Sequence, residues 1–146
     1  MAYSRQLIHI VFATRGREAN LNEAAQPGLF GFLASLARDL GCFVHAVGGW
    51  FDHVHLLIDL PTRLATADVV RELKARSSRW FKAEFRIGFA WQESYGAFSV
   101  SESSRDRVVA YIEGQAEHHR VHGSSKAEWE LLLRRHGIEY DPARLE

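Results

Sequence analysis

Two strand-like runs, CFVHAVGGW at 42 to 50 and HVHLLIDL at 53 to 60, are joined only by the turn around Trp50 to Asp52. Parallel neighbours need a crossover of about a dozen residues or more, so these runs must pair as an antiparallel hairpin. The rest of the chain has to fit around that hairpin. Upstream, RQLIHIVFAT at 5 to 14 is rich in β-branched residues and reads as a strand. It is followed by helical spacing through Leu29, Phe32, Leu33, Leu36 and Leu40 within 22 to 40, with Pro27 and Gly28 near the start and Gly41 at the close. Downstream, a helix is predicted over about 66 to 86, with Thr66 as N-cap, Asp68 in its first turn and Gly88 as its stop. A fourth strand lies within FAWQESYGAFSVS, best placed at GAFSVS. A helix of about 105 to 121 follows, capped by Ser101, Ser103 or Ser104 and ended by Gly123. A last helix over about 125 to 136 carries Trp129, Leu132 and Leu133, and the tail GIEYDPARLE is irregular.

The order β-α-β-β-α-β plus two helices predicts an α+β, ferredoxin-like split β-α-β. Its four-stranded antiparallel sheet has the first strand beside the histidine strand and helices on one face. The other face is left to hold a site or a partner. The 146 residues suffice for one domain over 1–146, and no repeat or linker divides them. With 47% hydrophobic and 12% aromatic residues the chain is globular rather than disordered. Its one cysteine, Cys42, excludes an internal disulfide and a cysteine-rich zinc site, and fits a reducing cytoplasm. No apolar run approaches the ~20 residues that cross a bilayer, and no signal-peptide pattern opens the chain. Eighteen basic and 18 acidic residues leave no net charge, so a nucleic-acid partner needs a local basic patch.

Three clusters carry chemistry. In DHVHLL, His53 and His55 share one strand face while Val54 points to the other. Such a pair fits an open metal site completed from elsewhere; it equally fits one core histidine beside one exposed histidine. In RVVAYIEGQAEHHR, Tyr111 and Gln115 lie one helical turn apart and His118 extends their face. That arrangement also suits a tyrosine packed on the sheet, although Gly114 is a mid-helix residue with poor helix propensity. In the helix of 66 to 86, Arg71, Lys74, Arg79, Lys82 and Arg86 fall within an arc of roughly 140° at about 100° per residue. Residues 71 to 86 hold six basic and two acidic side chains, a stripe suited to a phosphate backbone or simply to solvent.

Taken in order, LIHIVFATRGR, AVGGWFDHVHLLIDLP, LKARSSRWF, FAWQESYGAFSVS and YIEGQAEHHR resemble the single-tyrosine HUH transposases of IS200-like insertion sequences. The resemblance spans about 7 to 139. DHVHLL is similar to the family's histidine–hydrophobic–histidine motif and YIEGQ to its tyrosine motif. It implies His53, His55 and Gln115 as metal ligands, Mg²⁺ or Mn²⁺ as the ion, and Tyr111 as the nucleophile. Cleavage and rejoining of single-stranded DNA would run through a 5′-phosphotyrosine. The resemblance also implies a homodimer that can share its active sites, acting on hairpin-forming element ends, with the basic stripe as DNA contact. Gly114 departs from the asparagine expected of many relatives. His118 and His119 look like a recurrent feature of close relatives, without an assignable role. The alternative of another class is a domesticated, non-catalytic module that binds DNA hairpins.

Overall fold

The structure is a computed structural model and describes residues 1–122 and 124–145. Four strands, β1 (Leu7–Ala13), β2 (Phe43–Gly49), β3 (His53–Asp59) and β4 (Gly96–Val100), form one antiparallel sheet in the order β2-β3-β1-β4. β1 pairs with β3 so that Val11 faces His55 and Ala13 faces His53. The short turn makes β2 and β3 a hairpin, irregular between Val44 and Ala46.

Period-2 alternation divides each central strand between two layers. Val54, Leu56 and Ile58 of β3, with Ile10 and Phe12 of β1, turn to one side and are fully buried. There they meet α1 (Gln26–Asp39) through Leu29 and Leu33 and α2 (Thr66–Phe85) through Leu73 and Phe81. The opposite face is covered as well. α3 (Arg105–Glu113) lays Ile112 on Leu57 and Ala46, and α5 (Ser125–Arg135) lays Trp129, Leu132 and Leu133 on Val11 and Phe98. The second face is therefore roofed by the C-terminal helices rather than left open.

Several helix ends differ from the sequence expectation. α2 begins after Ala65, with Thr66 already helical and no side-chain cap. It ends at Arg86, in the left-handed region at φ 52°, not at Gly88. None of the three serines caps α3 through its side chain: Ser101 precedes a 3-10 turn over Glu102–Ser104, and Ser104 precedes α3 without a cap bond. The helix expected over 105 to 121 is two, because the backbone at Gly114 leaves helical geometry (φ −91°, ψ 14°) and α4 (Gln115–His122) resumes beyond it. Its proposed stop at Gly123 lies outside the described residues.

Two glycines let the roof close. A Cβ on Gly48, paired with His55 on β3, would strike the carbonyl of Ile112 in α3. A Cβ on Gly96 would stand 2.7 Å from the Trp129 ring of α5. Each covering helix thus reaches the sheet where a strand residue lacks a side chain.

Candidate metal and nucleophile centre

β3 presents His53 and His55 to the roofed face, 2% and 0% exposed. α3 and α4 bring Tyr111, Gln115, His118 and His119 above them, and α5 contributes Glu128. A partner orients each strand histidine from its far nitrogen. His53 Nδ1 donates to Asp52 Oδ1 at 2.8 Å, and His55 Nδ1 lies 2.8 Å from His9 Nε2. Each Nε2 therefore points to a common centre, the arrangement that outer partners impose on metal-binding imidazoles.

At that centre His53 Nε2 is 2.9 Å from Gln115 Oε1 and 3.4 Å from Glu128 Oε1. His55 Nε2 is 2.8 Å from Glu128 Oε1. His119 Nε2 is 3.0 Å from both Gln115 Oε1 and Glu128 Oε2, and His118 Nε2 is 3.1 Å from the latter. Separations of this size match the ligand–ligand edges around a small divalent ion with bonds of about 2.1 Å. His53, His119 and Glu128 alone bring one donor atom each to within 4.8 Å of one another. Imidazole, carboxamide and carboxylate donors together suit a divalent first-row or hard ion.

Charges follow from this packing. Burial opposes a charge on His53, but hydrogen bonds to Asp52 and Glu128 overcome it and push the imidazole up to about 9. Burial first, and the neighbouring His55 second, pull His9 down to about 3; burial pulls His55 down to about 4 against the hydrogen bond to Glu128. Burial works against ionised Glu128, yet hydrogen bonds from His119, His53 and His55 hold its carboxyl far below the usual range. Tyr111 stands over its own chain's histidines, its ring 5.6 Å from that of His55 and 5.7 Å from that of His118. Burial first, and the neighbouring Glu128 carboxylate second, raise its phenol above the ordinary tyrosine value.

The family described as "Transposase IS200 like" matches residues 2–115, which include both the histidine pair and the tyrosine. The chain belongs to the IS200-like transposase family. A relative, the ISDra2 transposase TnpA of Deinococcus radiodurans, is 31% identical over 114 residues, 73% of this chain and 81% of that protein. A crystal structure of a protein assigned as a transposase of Deinococcus radiodurans R1 has a TM-score of 0.65 at 29% identity, covering 79% of this chain and 95% of that one. A REP-associated tyrosine transposase bound to a REP hairpin shares the fold, with a TM-score of 0.60 at 16% identity over 97% of this chain and 87% of that one.

In this IS200-like transposase His53, His55, Gln115 and Tyr111 lie together on the roofed face of the sheet. Glu128, His119, Asp52 and His9 were not singled out as site residues by sequence. Their signals were weak: His9 shares the alternating face of β1, and His119 sits one turn beyond Gln115. Glu128 lies in a helix legible only as apolar packing. The basic residues are elsewhere. α2 packs on the opposite sheet face, so Arg71, Arg79, Lys82 and Arg86 are exposed on the far side from the histidines. Arg71 pairs with Asp68 at 2.9 Å. Lys74 is turned inward; its ammonium donates to the carbonyls of Gln92, Glu93 and Ser94 at 2.7–3.2 Å and closes the turn before β4. No helix among the described residues is long and apolar enough to cross a membrane.

Proposed function

We propose that residues 1–146 form one unit that cuts and rejoins single-stranded DNA through a 5′-phosphotyrosine bond on Tyr111, working in the cytoplasm as a homodimer on hairpin-forming element ends. The observation that carries this reading is the meeting of Tyr111 with two Nε2-directed histidines and Gln115 on one sheet face. His53, His55 and Gln115 would hold a divalent ion, Mg²⁺ or Mn²⁺, with His119 and Glu128 within reach of it. Such an ion polarises a phosphoryl oxygen and offsets charge that builds up in the transition state.

The chain's own groups do the rest. Asp52 and His9 keep the strand imidazoles aimed. The Tyr111 phenol loses its proton to a neighbouring base as its oxygen forms the bond to phosphorus. The bond from phosphorus to the 3′ oxygen breaks, and that oxygen leaves as a hydroxyl after taking up a proton. Reversal by another 3′ hydroxyl restores the phenol and joins strands, so no nucleotide cofactor is consumed. The hairpin-bound relative supports hairpin DNA as substrate, with Arg71, Arg79, Lys82 and Arg86 as backbone contacts from α2. Lys74 fits that role less well, because its ammonium already serves three carbonyls.

The test is a denaturing gel of protein, Mn²⁺ and single-stranded DNA carrying the element's end. The wild-type chain is expected to yield a covalent adduct, and Tyr111→Phe none; an adduct on that variant would overturn the assignment. His53→Ala should lower Mn²⁺ affinity in a calorimetric titration while keeping the fold. One observation favours the non-catalytic, hairpin-binding reading. Glu128 fills the centre, and burial together with that carboxylate raises the Tyr111 phenol above its ordinary value. DNA binding without any adduct would select it.

A further inference from the structure

After β1 the chain makes one 3-10 turn, Arg15–Arg17, and Arg17 adopts φ 53°, a left-handed conformation that L side chains resist. The turn sends its guanidinium back toward the histidine strand. Arg17 Nη1 donates to Ser125 Oγ at 2.8 Å, and Ser125 Oγ donates to Asp52 Oδ2 at 2.7 Å. Arg17 Nε and Nη2 are buried and have no hydrogen-bond partner among the described residues. A guanidinium carries five N–H donors, and leaving buried ones unmet is costly. A strained backbone thus holds an under-satisfied guanidinium, whose unmet nitrogens an anion would reach only if the turn shifted.

Beside this cation lies a cavity of about 400 Å³ between the Arg17 turn, the β2–β3 turn and the start of α5. Its walls include Arg17, Trp50, Phe51, Asp52 and the exposed Lys126. The two aromatic rings meet edge to face at 4.9 Å. On its other side the Trp50 ring lies parallel to that of His119, 6.5 Å between centroids, so the cavity adjoins the metal and nucleophile centre. The one carboxylate in the wall is engaged at both oxygens, Oδ1 with His53 and Oδ2 with Ser125. Arg17, Lys126 and the Trp50 and Phe51 rings make up the rest of the wall that a ligand would meet.

We infer that this cavity is the subsite for the unpaired nucleotide next to the scissile phosphate, its base against Trp50 and Phe51 and its phosphate on Arg17 and Lys126. The inference rests on the proposed single-strand function and adds a site to it. A base stacks on an aromatic ring whatever its identity, while a guanidinium fork matches phosphate oxygens. Only a strand with free bases can put one into a recess of this size, so duplex DNA is excluded from it.

The experiment is fluorescence anisotropy of the full chain with a short labelled oligothymidylate, a duplex of equal length, and the same backbone made wholly abasic. Arg17→Gln and Trp50→Ala should each weaken oligothymidylate binding by roughly tenfold, and Trp50→Phe should restore most of it. On the abasic strand Trp50→Ala should match the wild type, since its stacking partner is gone, whereas Arg17→Gln should still lose affinity. Lys126→Ala should lower the salt dependence of binding. If Arg17→Gln does not fold, the Trp50→Ala and Trp50→Phe pair decides. Wild-type affinity in Trp50→Ala, or an equal loss on the abasic strand, overturns this subsite while leaving the proposed function standing. Failure of the wild-type chain to bind any single strand overturns both.

Discussion

Glu128 is the residue on which the centre turns. Its two oxygens lie within 2.8–3.1 Å of imidazole nitrogens of β3 and α4, so its charge sits in the centre that the histidines surround. The neighbouring phenol feels that charge. Burial alone raises the Tyr111 value, and the carboxylate raises it further. Removing the charge and keeping the shape isolates the second effect: in Glu128→Gln the phenol should titrate at lower pH than in the wild type. Tyrosinate absorbance of the metal-free protein, with Tyr111→Phe subtracted, measures this. An unchanged titration would leave burial as the whole cause.

At the scale of elements, the centre depends on how close α3 lies to the sheet. Gly48 sets that distance, because any side chain there meets the Ile112 carbonyl one residue after Tyr111. Gly48→Ala should destabilise the protein by about 1–3 kcal/mol, the usual cost of overpacking. Gly31, with nothing within 4 Å of a built Cβ and exposed on α1, is the matched control; Gly31→Ala should be neutral or gain up to about 1 kcal/mol from helix propensity. Urea unfolding midpoints of the two variants test the contrast, and equal midpoints would show that α3 can shift without cost. The break at Gly114 belongs to this scale too. It lets α4 start anew, so that Gln115 points into the centre, its Oε1 2.9 Å from His53 Nε2, while His119 follows on the next turn.

For the whole molecule, a cluster this buried makes stability depend on pH when no metal is bound. In the unfolded chain every histidine takes a proton near the ordinary value of 6.5. In the fold His55 does so only at about 4 and His9 only at about 3, so stability falls as pH drops below 6.5. Glu128 acts in the same direction: its depressed value stabilises the fold above the ordinary carboxylate range, and that contribution is lost as acid approaches its folded value. His53 acts oppositely, since its raised value stabilises the fold fully below 6.5 and this is lost as pH rises through about 9. Metal-free protein should therefore be most stable between about pH 6 and 7 by urea midpoint, and His9→Leu should flatten the acid side. An acid limb equally steep in that variant would remove His9 from the account. Much of this molecule was legible in the chain itself. Alternation in HVHLLIDL put His53 and His55 on one face and the short turn at Trp50 forced the hairpin, because each rests on contacts within a few residues; the β-α-β-β-α-β order put β1 beside the histidine strand through the constraints of its topology. Tertiary structure alone decided that α5 brings Glu128 into the centre, that His9 and His119 join it, that Lys74 turns inward, and that the basic stripe lies behind the sheet. Those outcomes depend on which helix covers which face. For α3 and α5 the close approach at Gly48 and Gly96 is long-range packing, for which no local pattern in the sequence codes.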